Sequence, residues 1–188
     1  YTDVDELEVL EEVLVFPELC ITSYTCGDLF LQQSLQKSAK EQLFLLAKKT
    51  ENIDMLIAVG LPVALGNSLY NCAALLYQGS ILALIPKTHI PNYSEFYEGR
   101  YFTPGKSTTE YVNLSKEHTD IPFGTKILIS LPNKDEPILI GTEICEDLWV
   151  PCPPSVSQSL CGAQVILNLS ASNEVVGKAE YRKMLVQA

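Results

Sequence analysis

The chain has 188 residues, 47% of them hydrophobic and 19% charged, which is the balance of a globular domain and excludes a disordered segment. Its 13 basic and 23 acidic side chains leave a net charge of −10 with no basic stripe, so a nucleic-acid partner is excluded. No apolar run approaches the ~20 residues that span a bilayer, and the amino terminus is not a signal peptide, so a cytoplasmic protein with no membrane partner is expected.

Part of the acidic excess is local. Asp3, Asp5, Glu6, Glu8, Glu11 and Glu12 crowd into residues 1–12, which read as a stretch apart from one domain over residues 13–188. Residues 13–16 (VLVF) form a β-branched apolar run that ends at Pro17-Glu18, the profile of a buried strand reaching a turn. Between residues 31 and 49 the period changes to that of a helix, with Leu35, Ala39, Leu43 and Leu46 on one face. Residues 55–59 predict a second buried strand, stopped by Gly60. Residues 69–77 and 80–85 predict a hairpin turning at Gln78-Gly79. The segment 86–121 has no clear period, and a loop of that length in a compact domain is usually functional. A second hairpin is expected from 127–131 and 137–144, around Asn133-Lys134-Asp135. A strand at 165–169 and a helix beginning at 180–187 complete the pattern of an α/β domain, a sheet covered by helices and paired with another layer on its open face.

None of the six cysteines forms a Cys-x-x-Cys pair, and His89 and His118 are the only imidazoles, so a structural zinc site is disfavoured. Most of the cysteines are expected to be small buried hydrophobes. Cys145 is set apart by its position, where the strand sequence ILIGTEIC (138–145) gives way to the polar EDLW (146–149). A nucleophile needs that setting, held from behind and open in front. Glu18 in FPEL (16–19) and Lys87 after ILALIP (81–86) hold equivalent positions. Each has an ordinary reading, a buried cysteine, a turn carboxylate or a solvated lysine. As a set they are a base, a cation and a thiol, which parallel strands can bring to one rim.

Glu18, Lys87 in PKTHIPNY (86–93) and Cys145 in ICEDLW (144–149) resemble, in order, the Glu–Lys–Cys triad of the nitrilase superfamily of carbon–nitrogen hydrolases. Glu98 in EGRYFTPG (98–105) resembles the second glutamate that supports the lysine. More narrowly, YNCAALLYQG (70–79), PNYSEFYEGRYF (91–102), ICEDLWVP (144–151) and NLSASN (168–173) are similar to the glutaminase domain of glutamine-dependent NAD synthetases. The resemblance implies a four-layer αββα sandwich, incomplete here at both ends. It also implies L-glutamine as substrate, attacked by the Cys145 thiolate after Glu18 takes its proton, with Lys87 and a backbone N–H steadying the oxyanion. Tyr93, Ser172 and Lys178 match positions that hold glutamine, and Tyr24 and Glu146 are further candidates beside them. No cofactor or metal is implied for this domain. ATP, magnesium and deamido-NAD belong to a synthetase domain of the same parent that is absent from this chain, and a homo-oligomer is implied. The alternative is a stand-alone amidase of the same superfamily acting on another small amide.

Overall fold

The computed structural model describes residues 12–133 and 136–187. The acidic stretch up to Glu11, and Lys134 and Asp135 of the predicted second turn, lie outside the described residues. A six-stranded sheet is built from β1 (Val13–Val15), β2 (Leu56–Leu65), β3 (Ser68–Tyr77), β4 (Ser80–Pro86), β5 (Glu110–Val112) and β6 (Ile121–Phe123), in the order β1-β2-β3-β4-β6-β5. A three-stranded sheet holds β7 (Ile129–Leu131), β8 (Ile138–Ile144) and β9 (Val165–Leu169) in sequence order. The helices are α1 (Gln33–Lys49), α2 (Pro154–Leu160) and α3 (Lys178–Gln187).

Alternation along the central strands separates two cores. Ile57, Val59, Leu61 and Val63 of β2 and Cys72, Ala74 and Leu76 of β3 pack with Leu43 and Ala47 of α1. The intervening Leu56, Ala58, Ala73 and Leu75 face the other way, against Ile140, Ile144, Leu167 and Leu169 of the small sheet. Gln158 of α2 covers the outer face of β8, where a Cβ on Gly141 would lie 2.3 Å from its Oε1. The layers are therefore helix, sheet, sheet, helix. Among the described residues no helix is long and apolar enough to cross a membrane.

Several expectations need correction. The strand at 13–16 forms, but residues 13–16 are each about two-fifths exposed, because β1 is an edge strand paired only to β2 among the described residues. Gly60 does not stop β2, which continues through Pro62 to Leu65 and turns back at Gly66-Asn67 into β3. Gly60 is a crossing point instead: a Cβ there would lie 2.2 Å from Leu19 N and 2.7 Å from Pro17 O. Its missing side chain lets the turn after β1 pass directly over β2, and Ile21 N donates to Gly60 O at 3.1 Å. The Gln78-Gly79 turn forms as expected, with φ of 41° and 83°, the paired positive values of a tight hairpin. Of the six cysteines only Cys72 and Cys145 are buried, since Cys20, Cys152 and Cys161 fall outside the strands on exposed positions. The last helix starts at Lys178, two residues earlier than expected, and α2, β5 and β6 add elements that residues 86–121 and 151–160 did not announce.

Candidate active site

β1 pairs parallel to β2, and the two antiparallel steps through β3 make β4 parallel to both, so Glu18 and Lys87 leave the large sheet at the same rim. β8 brings Cys145 to that rim from the small sheet. Glu18 and Lys87 meet directly, and the Cys145 thiol lies within hydrogen-bonding reach of Glu18. Lys87 Nζ donates to Glu18 Oε1 and to Glu98 Oε1, each at 2.7 Å. Lys87 is wholly buried and Glu18 and Glu98 nearly so, and the reading of Lys87 as a solvated lysine does not hold. Burial alone would push the ammonium toward neutrality, but Glu18 and Glu98 outweigh it and hold Lys87 above the usual lysine range. Burial raises Glu98, against the pull of Lys87, and the charge on Glu18 adds to the rise.

Cys145 follows the last residue of β8 at φ 45° and opens a 3-10 turn, Cys145–Trp149. A positive φ on a residue other than glycine is uncommon and costs energy, and here it lifts the side chain off the strand. Cys145 as a residue is 6% exposed. Its Sγ accepts from Ser170 Oγ at 3.4 Å. Burial pushes the thiol up to about 12, helped by the negative charge of Glu18 and opposed by Lys87. Burial and Glu18 thus favour the protonated form, the state from which a neighbouring base would have to take the proton for the sulfur to act as a nucleophile.

Around this centre the remaining candidates form two groups. Tyr24 OH donates to Glu98 Oε1 at 2.8 Å, so Tyr24 reaches the site through Glu98. Burial and the neighbouring Glu98 hold the Tyr24 phenol above its ordinary range. Tyr93 OH donates to Glu146 at 2.9 Å, one residue beyond the thiol. Lys178 Nζ donates to Ser172 Oγ at 2.5 Å and to Asn173 Oδ1 at 2.6 Å, and lies 5.2 Å from the Trp149 ring centroid. Asn173 in turn donates to Glu95. This outer rim presents a cation, Lys178, and two carboxylates, Glu146 and Glu95.

Three residues escaped the sequence reading. Asn71, in the middle of β3, donates from Nδ2 to Glu18 Oε1 at 2.7 Å and to Glu98 Oε2 at 3.3 Å. Asp147 accepts from the backbone of Thr88, His89 and Ile144. Ser170 touches the sulfur. The available signal was a polar residue set inside an otherwise apolar buried run, as Asn71 is in YNCAALL. Among the described residues no group of three or more His, Cys, Asp or Glu could hold a metal ion.

Residues 11–188 match the carbon–nitrogen hydrolase family. Among characterised proteins, the glutamine-dependent NAD(+) synthetase of Mycobacterium tuberculosis is 35% identical over 175 residues, which cover 93% of this chain and 25% of that protein. The crystal structure of a glutamine-dependent NAD(+) synthetase from Cytophaga hutchinsonii superposes with a TM-score of 0.75 at 33% identity, over 93% of this chain and 27% of that one. An amidase of the nitrilase superfamily from Nesterenkonia shares the fold alone, with a TM-score of 0.64 at 17% identity over 93% of this chain and 57% of that one. The chain therefore spans about a quarter of the length of the synthetases it matches.

Proposed function

The chain belongs to the carbon–nitrogen hydrolase family, and we propose that its pocket hydrolyses the side-chain amide of L-glutamine to glutamate and ammonia. The observation that carries this reading is a buried ammonium, Lys87, held 2.7 Å from two carboxylates beside the Cys145 thiol. Glu18 takes the proton of Cys145 as sulfur attacks the amide carbon. Two of the three Lys87 N–H donors are engaged by Glu18 and Glu98, which leaves the third, with a backbone N–H, for the developing oxyanion. Collapse returns the proton from Glu18 to the leaving nitrogen, expels ammonia and leaves a glutamyl thioester. Glu18 then deprotonates water, which attacks the thioester and frees glutamate and the thiol.

The rim supports glutamine over a simple amide. Lys178 with Ser172 can meet the α-carboxylate, and Glu146, oriented by Tyr93, can meet the α-ammonium. The names of the synthetase relatives support a further step, in which the ammonia amidates deamido-NAD in a synthetase domain of the same protein. ATP, magnesium and deamido-NAD are assigned to that domain and to no residue of this chain. Assembly with a second copy is supported by the exposed apolar side chains of α3, Met184 and Val186, and by Leu160 of α2, which lines one cleft with Val186. The test is ammonia release from glutamine by the complete gene product, which Cys145→Ala should abolish and Cys161→Ala should leave intact. Release that survives Cys145→Ala would overturn the reading.

A further inference from the structure

Asn71 is an awkward residue for its place. It is 1% exposed and shares the face of β3 that carries Ala73 and Leu75 into the core between the sheets. A buried amide costs free energy unless its hydrogen bonds are made, and Asn71 Oδ1 has no partner among the described residues. Its Nδ2, by contrast, is fully used, with one donor toward each buried carboxylate. Its main-chain carbonyl also accepts from Lys87 N at 2.8 Å, so one residue registers both the lysine and its two partners.

The oxygen atoms of Glu18 show what this achieves. Oε1 accepts from Lys87 Nζ at 2.7 Å and from Asn71 Nδ2 at 2.7 Å, which engages both of its lone pairs. Among the described residues Oε2 accepts from Ala171 N, at 3.2 Å, and the Cys145 thiol lies within hydrogen-bonding reach of the same carboxylate. One acceptor direction on Glu18 is left over, and it lies on Oε2. Resting on the hydrolase reading above, we propose that Asn71 is a positioning residue that saturates Glu18 Oε1 and so directs the Cys145 proton to Oε2. Its second N–H bond, to Glu98, keeps the two carboxylates apart in role: Glu18 exchanges the proton while Glu98 stays with Lys87 and Tyr24. Deprotonation of sulfur and protonation of Oε2 balance in one step, and the same oxygen returns the proton to the leaving nitrogen.

The experiment is steady-state glutaminase kinetics of the complete gene product and of two variants. Folded sites are counted by covalent labelling with an alkylating glutamine analogue. Asn71→Ala removes one charge-assisted donor per carboxylate. It should lower kcat per folded site by about ten- to a hundredfold, with KM nearly unchanged because Asn71 touches no substrate. Asn71→Asp tests the donor directly. The groups facing position 71 are Glu18, Glu98 and Lys87, with Cys145 and Tyr24 behind them. In its protonated form the introduced carboxyl still donates one O–H, whereas its ionised form adds a third carboxylate to one ammonium. The activity of Asn71→Asp relative to the parent should therefore rise by at least about tenfold on going from pH 8 to pH 6. Parental kcat per folded site in Asn71→Ala, or a pH profile of Asn71→Asp parallel to the parent's, overturns the proposal. Failure of both variants to fold also overturns it, since the side chain would then serve the core and not the proton. A parent that releases no ammonia defeats the hydrolase reading instead, and the two failures are told apart by that first measurement.

Discussion

Asp147, two residues after Cys145, accepts a hydrogen bond at 2.7 Å from the backbone N–H of His89, two residues after Lys87. The same carboxyl accepts from Thr88 N at 3.3 Å and from Ile144 N at 3.0 Å. The two sheets are thus tied at the rim by one buried side chain, and the spacing of Lys87 from Cys145 depends on it. Asp147→Asn puts an NH2 against backbone donors and leaves at least one of them unpaired. Destabilisation of about 1–3 kcal/mol is expected, together with a fall in kcat. A thermal melt that matches the parent's would show that the tie contributes nothing to the fold.

Asp147 also gives a pH dependence with a definite sign. Burial raises its carboxyl to about 7 against the three backbone donors that lower it. An ordinary aspartate in the unfolded chain titrates near ~3.9, so between about pH 4 and about 7 the folded state holds a proton that the unfolded state releases. Its contribution to stability is therefore complete at the acid end and is lost as the pH rises through that window. The parent's melting temperature should carry this downward component between pH 5 and 7, and Asp147→Asn should lack it. Identical slopes in the two proteins would mean that Asp147 is ionised throughout.

Lys87→Arg keeps the charge and should still fail. The ammonium sits at 2.7 Å from two carboxylates with its side chain fully buried, and a planar guanidinium can neither fit that space nor aim one N–H at the oxyanion while serving both glutamates. A loss of kcat of about a hundredfold or more is expected, close to that of Lys87→Ala. An Arg variant with most of the parental rate would reduce Lys87 to a long-range charge.

The raised thiol leads to a labelling prediction. With Cys145 pushed up to about 12, first by burial and then by Glu18, a small neutral alkylating agent should react slowly at pH 7. Its rate should climb through pH 9 without a plateau. A glutamine analogue that engages the rim and the base should label Cys145 rapidly at the same pH. A plateau with a midpoint below pH 8 for the neutral reagent would reveal a stored thiolate and contradict the general-base mechanism.

How far the sequence foretold this site depends on what each residue's signal was. Glu18, Lys87 and Cys145 each break an apolar strand with a reactive group, and strand ends are legible because the apolar run stops there. Asn71 does not end a run; it interrupts one, and an isolated Asn within a strand is otherwise read as a weak position. The edge character of residues 13–16 was hidden for another reason, since an apolar run reports that a strand can be buried and not where it lies in the sheet. Gly60 was misread because a glycine that ends a strand and one that lets another segment cross it look alike in one dimension. From the residues alone the second sheet was foreseen only as an unnamed layer, and the family resemblance supplied it as the second β layer of the αββα sandwich. Its strands β8 and β9 are joined by a crossover that contains α2, whose Pro- and Ser-rich sequence lacks a helical stripe.

If the proposed glutaminase reading holds, Lys178 is the residue that would select glutamine over other amides. Its Nζ is already held by Ser172 Oγ and Asn173 Oδ1 and lies over the Trp149 ring, so it is a placed cation and not a mobile one. Glutamine carries an α-carboxylate that a short aliphatic amide lacks, and this group keeps its charge throughout the reaction. Removing the cation with Lys178→Ala deletes one charge-assisted contact, about 1.5–3 kcal/mol, or roughly ten- to a hundredfold. The loss should fall on KM for glutamine with kcat little changed, because the contact is the same in ground and transition states. Hydrolysis of a short aliphatic amide, which never reaches the rim, should proceed as in the parent. The measurement is the ratio of kcat/KM for the two substrates in the parent and in the variant. If both substrates lose equally, Lys178 serves only to hold Ser172 and Asn173 in place, and the rim does not select glutamine through its carboxylate.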